Sequence, residues 1–162
     1  MTEDYADSEW LNDGLSLALF LTVGSTGSLE PLKKFFSAER AYGLGSFSMG
    51  IEEMKQTASL ASNSSLGLEA QTRVLEMSER LSSPTFLIKD IDDFVQNHPN
   101  HFAVADLLLL KFRLMRKTKA SPDAIVNLLK DFRDRFPGDI RARRVGILIQ
   151  EFFKDKGKDT KK

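Results

Sequence analysis

The amino-acid sequence predicts an all-α fold in which about eight helices form stacked antiparallel helical hairpins, an α-solenoid. The first observation is a pattern that occurs twice between Ser83 and Lys158, with its second copy beginning at Ser121. The second is the placement of apolar residues at intervals of three and four, without the alternation typical of strands. A repeat of this length predicts helical hairpins that bury their apolar faces against one another.

Three pairs of anchors define the repeat, and the spacing between the two members is the same in every pair. They are Ser83-Pro84 with Ser121-Pro122, Asp93-Phe94 with Asp131-Phe132, and Pro99 with Pro137. The apolar positions that coincide between the anchors are Leu87 with Ile125, Ile88 with Val126, Ile91 with Leu129, Phe102 with Ile140, and Leu107 with Val145. The clearest repeat units therefore span residues 83–120 and 121–158.

Length and composition indicate one globular domain, since 162 residues with a hydrophobic fraction of 41% can bury a core. We predict a flexible acidic N-terminus at residues 1–7, a single helical-repeat domain at 8–155 and a flexible lysine-rich tail at 156–162. The acidic N-terminus differs from a secretory signal, and the apolar run at residues 15–23 is too short to cross a bilayer. The absence of cysteine agrees with a cytoplasmic location.

The first half of the chain predicts four helices, separated by turns rich in glycine and serine. Gly24 ends the first helix, and Ser28 with Pro31 begins the second. The third helix has a sparse apolar pattern, so we expect part of it to be exposed. The four predicted helices span about residues 8–23, 28–42, 47–61 and 68–81.

The repeated half predicts four more helices. Pro84 and Pro122 stand at the first position of a helix, where proline is well tolerated. Pro99 and Pro137 follow the helices that they end, because the residue before a proline is disfavoured in helical conformation. These four helices span about residues 84–98, 100–117, 122–136 and 139–154.

The segment from Ser121 to Asp139 resembles the second helix of a tetratricopeptide repeat (TPR), a family of helical hairpins. The residues at that family's small, aliphatic, aromatic and closing positions are Ala124, Ile125, Phe132, Pro137 and Gly138-Asp139. Residues 83–100 repeat the aliphatic, phenylalanine and proline parts, and residues 100–117 look like a first helix. The resemblance implies a curved, TPR-like stack whose concave face holds a peptide or helix of another protein, without chemistry of its own.

The chain departs from the TPR pattern in three respects. The unit, which in the second copy spans 121–158, is slightly longer than the usual repeat. Phe86 stands where the second copy has the small residue Ala124, and the first helix lacks the early tryptophan and the central glycine. The resemblance is limited to the C-terminal half of the chain.

Charge is divided unevenly although the formal net charge is zero. Residues 1–110 contain 7 Lys and Arg against 16 Asp and Glu, whereas residues 111–162 contain 16 against 7. The net charges are therefore −9 and +9. A difference of this size fits either a surface for an anionic partner or solvated basic helix faces.

Basic residues at helix ends indicate the candidate binding site. The helix dipole stabilises cations near a helix C-terminus, which accounts for the basic residues between 113 and 135. Arg141, Arg143 and Arg144 instead open the last predicted helix, where positive charge is disfavoured. We therefore expect an acidic partner, since a guanidinium group binds a carboxylate or phosphate with two hydrogen bonds. The predicted partner-binding residues are Asn127, Lys130, Arg133, Arg141, Arg143 and Arg144.

No motif in the sequence indicates catalysis. His98 and His101 are the only histidines, and a zinc site needs three or four protein ligands, so we expect them to stabilise helix ends. Asp90 and Asp93 share a helix face but are explained as solvated carboxylates. The sequence contains no phosphate loop, dinucleotide motif or nucleophile elbow. We therefore predict a protein without enzymatic activity, cofactor or metal.

The predicted function is a protein–protein interaction module, acting as an adaptor, scaffold or assembly subunit. Its partner would be a peptide or helix with an acidic element. The alternative is a nucleic-acid-associated subunit that binds phosphates through the basic C-terminal half, with a steep dependence on salt. An enzyme with an unrecognised site is a third class, and self-association through the ends of the stack also stays open.

Overall fold

The computed structural model describes the backbone of residues 28–62 and 64–159, and the side chains as far as Phe152. Within these residues the chain forms seven α-helices and no strand, which confirms the all-α class. None of these seven helices is both long and apolar enough to cross a membrane. The predicted helix at residues 8–23 and the chain ends at 1–7 and 160–162 lie outside the described residues.

The helices are close to their predicted positions. A short 3-10 helix, Ser78–Arg80, follows α3. The last helix continues to Asp159, so residues 156–159 of the predicted tail are helical. The seven helices are α1 (Glu30–Gly43), α2 (Phe47–Leu60), α3 (Ser65–Met77), α4 (Pro84–Asn97), α5 (Val104–Lys117), α6 (Pro122–Arg135) and α7 (Ala142–Asp159).

The contacts group the chain into two compact units, residues 1–81 and 82–162. The single domain expected over residues 8–155 stays a prediction. The boundary lies at the start of the repeated half, because α1, α2 and α3 pack with one another and α4 to α7 pack each with the next. The first unit has 6 Lys and Arg against 12 Asp and Glu, and the second has 17 against 11. The charge asymmetry therefore follows the division into units.

In its described residues, 28–62 and 64–81, the first unit is a packed set of three α-helices. Its core includes the fully buried Ala38 of α1, Met54 of α2 and Ala70 of α3. One face of α2 is exposed, as its sparse apolar pattern predicted. The other face is buried in the core and includes Ile51 and Thr57. Burial of small residues such as Ala38 lets neighbouring helices approach closely.

A charged network also joins α1 to α3. Arg73 donates hydrogen bonds to Glu39 of α1 at 2.5 and 3.0 Å, and to Glu76 of its own helix at 2.6 Å. Tyr42 adds a bond from its hydroxyl to the carbonyl of Met77 at 3.2 Å. These contacts fix the last turn of α1 beside α3.

The second unit contains both repeat units and a core shared by α5, α6 and α7. Lys111 of α5 pairs with Asp92 of α4, as expected for an antiparallel hairpin. Three of the five paired apolar positions of the repeat are buried in both copies, and in a fourth Val126 is buried and Ile88 partly buried. Those with at most 6% exposure in both copies are Leu87 and Ile125, Ile91 and Leu129, Leu107 and Val145, and the anchors Phe94 and Phe132.

The pair Phe102 and Ile140 is the exception, with 73% and 93% exposure. Both residues lie in turns that precede α5 and α7, which begin at Val104 and Ala142 rather than near 100 and 139. The first turn is closed by hydrogen bonds from the N–H of His101 to the carbonyl of His98 and from that of Val104 to that of His101.

The second turn has the same two hydrogen bonds at the equivalent positions of the repeat: from Asp139 to Phe136 and from Ala142 to Asp139. These turns occupy the residues that we had placed in the first turn of each helix, and they leave Phe102 and Ile140 outside the core. The shared hydrogen bonds show that the two copies of the sequence pattern have the same local backbone structure.

Gly50 in α2 provides a test of the packing in the first unit. A Cβ atom at this position would lie 2.9 Å from the carbonyl oxygen of Ala38 and 2.8 Å from Cβ of Tyr42. We expect Gly50→Ala to destabilise the protein by about 1–3 kcal/mol, because the backbone of α1 must move away.

The matched control is Gly146→Ala in α7, where an added Cβ meets no atom within 4 Å. Without a clash, alanine should stabilise this helix by about 0.5–1 kcal/mol. Thermal unfolding followed by circular dichroism compares the two variants. Equal changes of the same sign would contradict this description of the packing.

Candidate partner-binding surface

Arg141, at the start of α7, is held by carboxylates of the protein itself. Its guanidinium donates to Asp139 at 2.7 and 2.8 Å, and its backbone N–H donates to the same carboxylate at 2.8 Å. It also pairs with Asp106 in the first turn of α5 and lies over the ring of Phe132 at 5.9 Å. The hydrogen bonds from Arg141 lower the pKa of Asp139 to about 2. Arg141 is one of the six predicted partner-binding residues, and these contacts link it to α5 and α6 at the start of α7.

Arg143 and Arg144 differ from Arg141. Both are exposed and lie in the first turn of α7, which contains no acidic residue. Among the side chains of residues 28–62 and 64–152, neither has an ion-pair partner. The two arginines add positive charge to the positive end of the helix dipole, so this site attracts anions.

The other three predicted residues lie on the solvent-exposed side of α6. Asn127, Lys130 and Arg133 follow one another at intervals of three and are all exposed. Arg133 pairs with its neighbour Asp134 at 3.1 Å. The structure thus divides the predicted set between the exposed side of α6 and the start of α7.

Helices α5 and α7 run side by side in the same direction. Their starts are joined by the pair of Asp106 with Arg141. Further along, Phe112 and Arg116 of α5 face the same groove as Leu148 and Phe152 of α7. Helix α6 packs against both of these helices.

The groove has a volume of about 380 Å³. Its lining residues are Phe112, Arg116, Lys119, Ile125, Leu148, Glu151 and Phe152. Ile125 and Phe112 are buried, and Leu148 and Phe152 are partly buried, so the floor is apolar. Arg144 precedes Leu148 by four residues and so lies on the groove side of α7, one turn nearer its start.

Lys119, two residues after the end of α5, has an unusual backbone conformation. Its φ of 54° makes it the one non-glycine residue with positive φ among the described residues. The N–H of Ala120 donates to the carbonyl of Met115 at 2.9 Å, which closes the turn after the helix. Glycine is the usual residue at this position because it has no Cβ to clash with the backbone.

Sequence reasoning did not select Arg116 and Lys119. Both were explained by the helix dipole, since they lie at the end of a helix. One signal was present in the sequence: no glycine follows Lys117, although the chain must turn before Ser121-Pro122. That signal identifies the turn but does not show which side chains line the groove.

A second groove, of about 660 Å³, lies beside the loop between α4 and α5. His101 contacts the ring of Phe102 at 4.5 Å and that of Phe94 at 5.5 Å between ring centroids. Burial, and secondarily the neighbouring His98, lowers the pKa of His101. Among the described residues no three His, Asp or Glu side chains are grouped to hold a metal ion. The histidines therefore pack at the turn between the two helices.

Comparison of the sequence with protein-family models and with curated proteins finds no match in either case. The resemblance to tetratricopeptide repeats therefore stays a prediction, and the function is inferred from the geometry of the second unit.

The carboxylate of Asp139 provides a test with a defined pH dependence. Its pKa is lowered to about 2, so the ionised form stabilises the fold above the ordinary pKa of aspartate. That contribution is lost as the pH falls through about 2. We expect Asp139→Asn to reduce stability at pH 7 by about 1 kcal/mol.

Denaturant unfolding from pH 7 to pH 3 measures this effect, and the difference between variant and wild type should shrink towards the acid end. Asp93→Asn on α4 is the matched control, because Asp93 is exposed and forms no ion pair within the described residues. A difference for Asp139→Asn that is independent of pH would contradict the assignment.

Proposed function

We propose that this protein is a non-enzymatic interaction module that binds an acidic peptide or helix of another protein. It would act as an adaptor, scaffold or assembly subunit in the cytoplasm. The observation that carries the proposal is the pair Arg143 and Arg144, exposed in the first turn of α7 and without a carboxylate partner among the described residues.

The location of these arginines explains why the partner should be acidic. A cation in the first turn of a helix is destabilising by a few tenths of a kcal/mol, because the free N–H groups already carry positive charge. A carboxylate of a partner removes this repulsion and accepts charge-assisted hydrogen bonds from the guanidinium groups. Binding therefore relieves an unfavourable interaction in addition to forming new contacts.

Arg141 has a supporting part in the proposal. Its carboxylate contacts inside the protein fix the start of α7, so that Arg143 and Arg144 project from a defined position. Asn127, Lys130 and Arg133 on α6 add polar and basic groups that extend the proposed surface. The second unit as a whole carries six more basic than acidic residues.

The nucleic-acid alternative uses the same basic residues, but the two phenylalanine rings over which Arg116 and Arg141 lie are not stacking platforms. Phe112 and Phe132 have 9% and 1% exposure, so their rings are not available to bases. The second unit also contains 11 acidic residues, which oppose a phosphate backbone. We therefore favour a protein partner.

The test begins with affinity capture from native lysate at low and high salt, and mass spectrometry identifies the retained proteins. The affinity of the purified partner is then measured for the double variant Arg143→Glu/Arg144→Glu. We expect a loss of about tenfold or more, because two attractive charges become repulsive. The matched control is Lys33→Glu/Arg40→Glu, which changes the charge equally on exposed residues of α1.

Unchanged affinity in the Arg143→Glu/Arg144→Glu variant would contradict the proposed surface. Capture of nucleic acid that nuclease abolishes and high salt removes would instead support the alternative, since phosphate contacts release counterions.

A further inference from the structure

The groove between α5 and α7 combines an apolar floor with charged residues at its edge. Phe112, Ile125, Leu148 and Phe152 supply the floor. Its volume of about 380 Å³ can hold a few apolar side chains of a bound segment. A segment that fits must therefore present apolar side chains on one side.

The charges around this groove are mainly positive. Arg116 and Lys119 are exposed at its edge, and Arg144 lies one turn away on the same side of α7. Glu151 is the one acidic residue in the lining. The guanidinium of Arg116 lies over the ring of Phe112 at 5.8 Å, which positions it above the floor. The charge complement of this edge is a segment with carboxylates beside its apolar side chains.

The backbone of Lys119 provides an independent observation. A left-handed conformation is unfavourable for a lysine, whereas glycine adopts it freely. The position therefore retains a side chain at a cost to stability. Its location at the edge of the groove places the ammonium group where it can contact a carboxylate of a bound segment.

We infer that Lys119 and Arg116 are specificity-determining contacts for an acidic amphipathic segment of the partner, which packs its apolar side chains into this groove. The inference rests on the proposed function and adds the location and chemistry of the bound segment. Lys119 contributes to binding and not to the stability of the fold, so the two properties should change in opposite directions on its replacement.

The probe is a fluorescein-labelled peptide of about 15 residues, with leucine at helical spacing on one side and glutamate elsewhere. A second peptide has glutamine in place of every glutamate. Binding to the full chain is measured by fluorescence anisotropy at low and physiological salt. The variants are Lys119→Gly, Lys119→Arg, Arg116→Gln and Arg143→Glu/Arg144→Glu.

We expect Lys119→Gly to raise the midpoint of thermal unfolding by about 2 °C and to weaken binding of the acidic peptide about fivefold. Lys119→Arg should bind like the wild type, since it keeps the charge. Arg116→Gln should weaken binding to a similar extent, and the glutamine peptide should be insensitive to all these changes. This pattern would support the inference.

Three results would overturn it. If Lys119→Gly and Arg116→Gln leave binding unchanged while Arg143→Glu/Arg144→Glu weakens it, the groove contacts are wrong and the proposed function stands. If the wild-type chain binds neither peptide, both proposals fail. If a single-stranded oligonucleotide displaces the acidic peptide and binds more tightly, the preferred ligand is a nucleic acid and not an acidic protein segment.

Discussion

The pairing of Arg141 with Asp106 and Asp139 determines the geometry on which the functional proposal depends. The pair of Arg141 with Asp106 joins the start of α7 to the start of α5, although these two residues lie 35 positions apart in the sequence. Helix α6 packs against both, and later residues of α5 and α7 line one groove, so α7 lies beside α5 and runs in the same direction. The groove along these helices and the exposed first turn of α7 both follow from this arrangement.

Cations in the second unit consequently have two kinds of environment. Arg141 and Lys111 pair with carboxylates from neighbouring helices and hold the fold together. Arg143 and Arg144 have no such partner in the described part of the chain, and Lys119 adopts a backbone conformation that glycine would adopt more favourably. The second group is therefore the part of the surface for which stability offers no explanation, and the proposed acidic partner would supply one.

The helices and the repeat could be predicted from the sequence because both depend on local signals. Proline positions and apolar spacing placed α4 and α6 within a residue or two of their observed ends. The turns before α5 and α7 were missed because their backbone hydrogen bonds leave no mark in residue spacing. The sequence identified the first turn of α7 as an unusual place for arginines. It did not identify Asp106 of α5 as the partner of Arg141, because the two residues are 35 positions apart and only the tertiary structure brings them together.

Binding of an acidic partner to the second unit through α5 and α7 is the step on which both proposals depend. Its most direct test is a titration of the ¹⁵N-labelled full chain with the acidic amphipathic peptide, followed by amide chemical shifts in NMR. We expect chemical-shift changes concentrated at residues 112–120 and 141–152, and smaller changes when salt is raised. Shifts confined to residues 28–81, or none at saturating peptide, would contradict it.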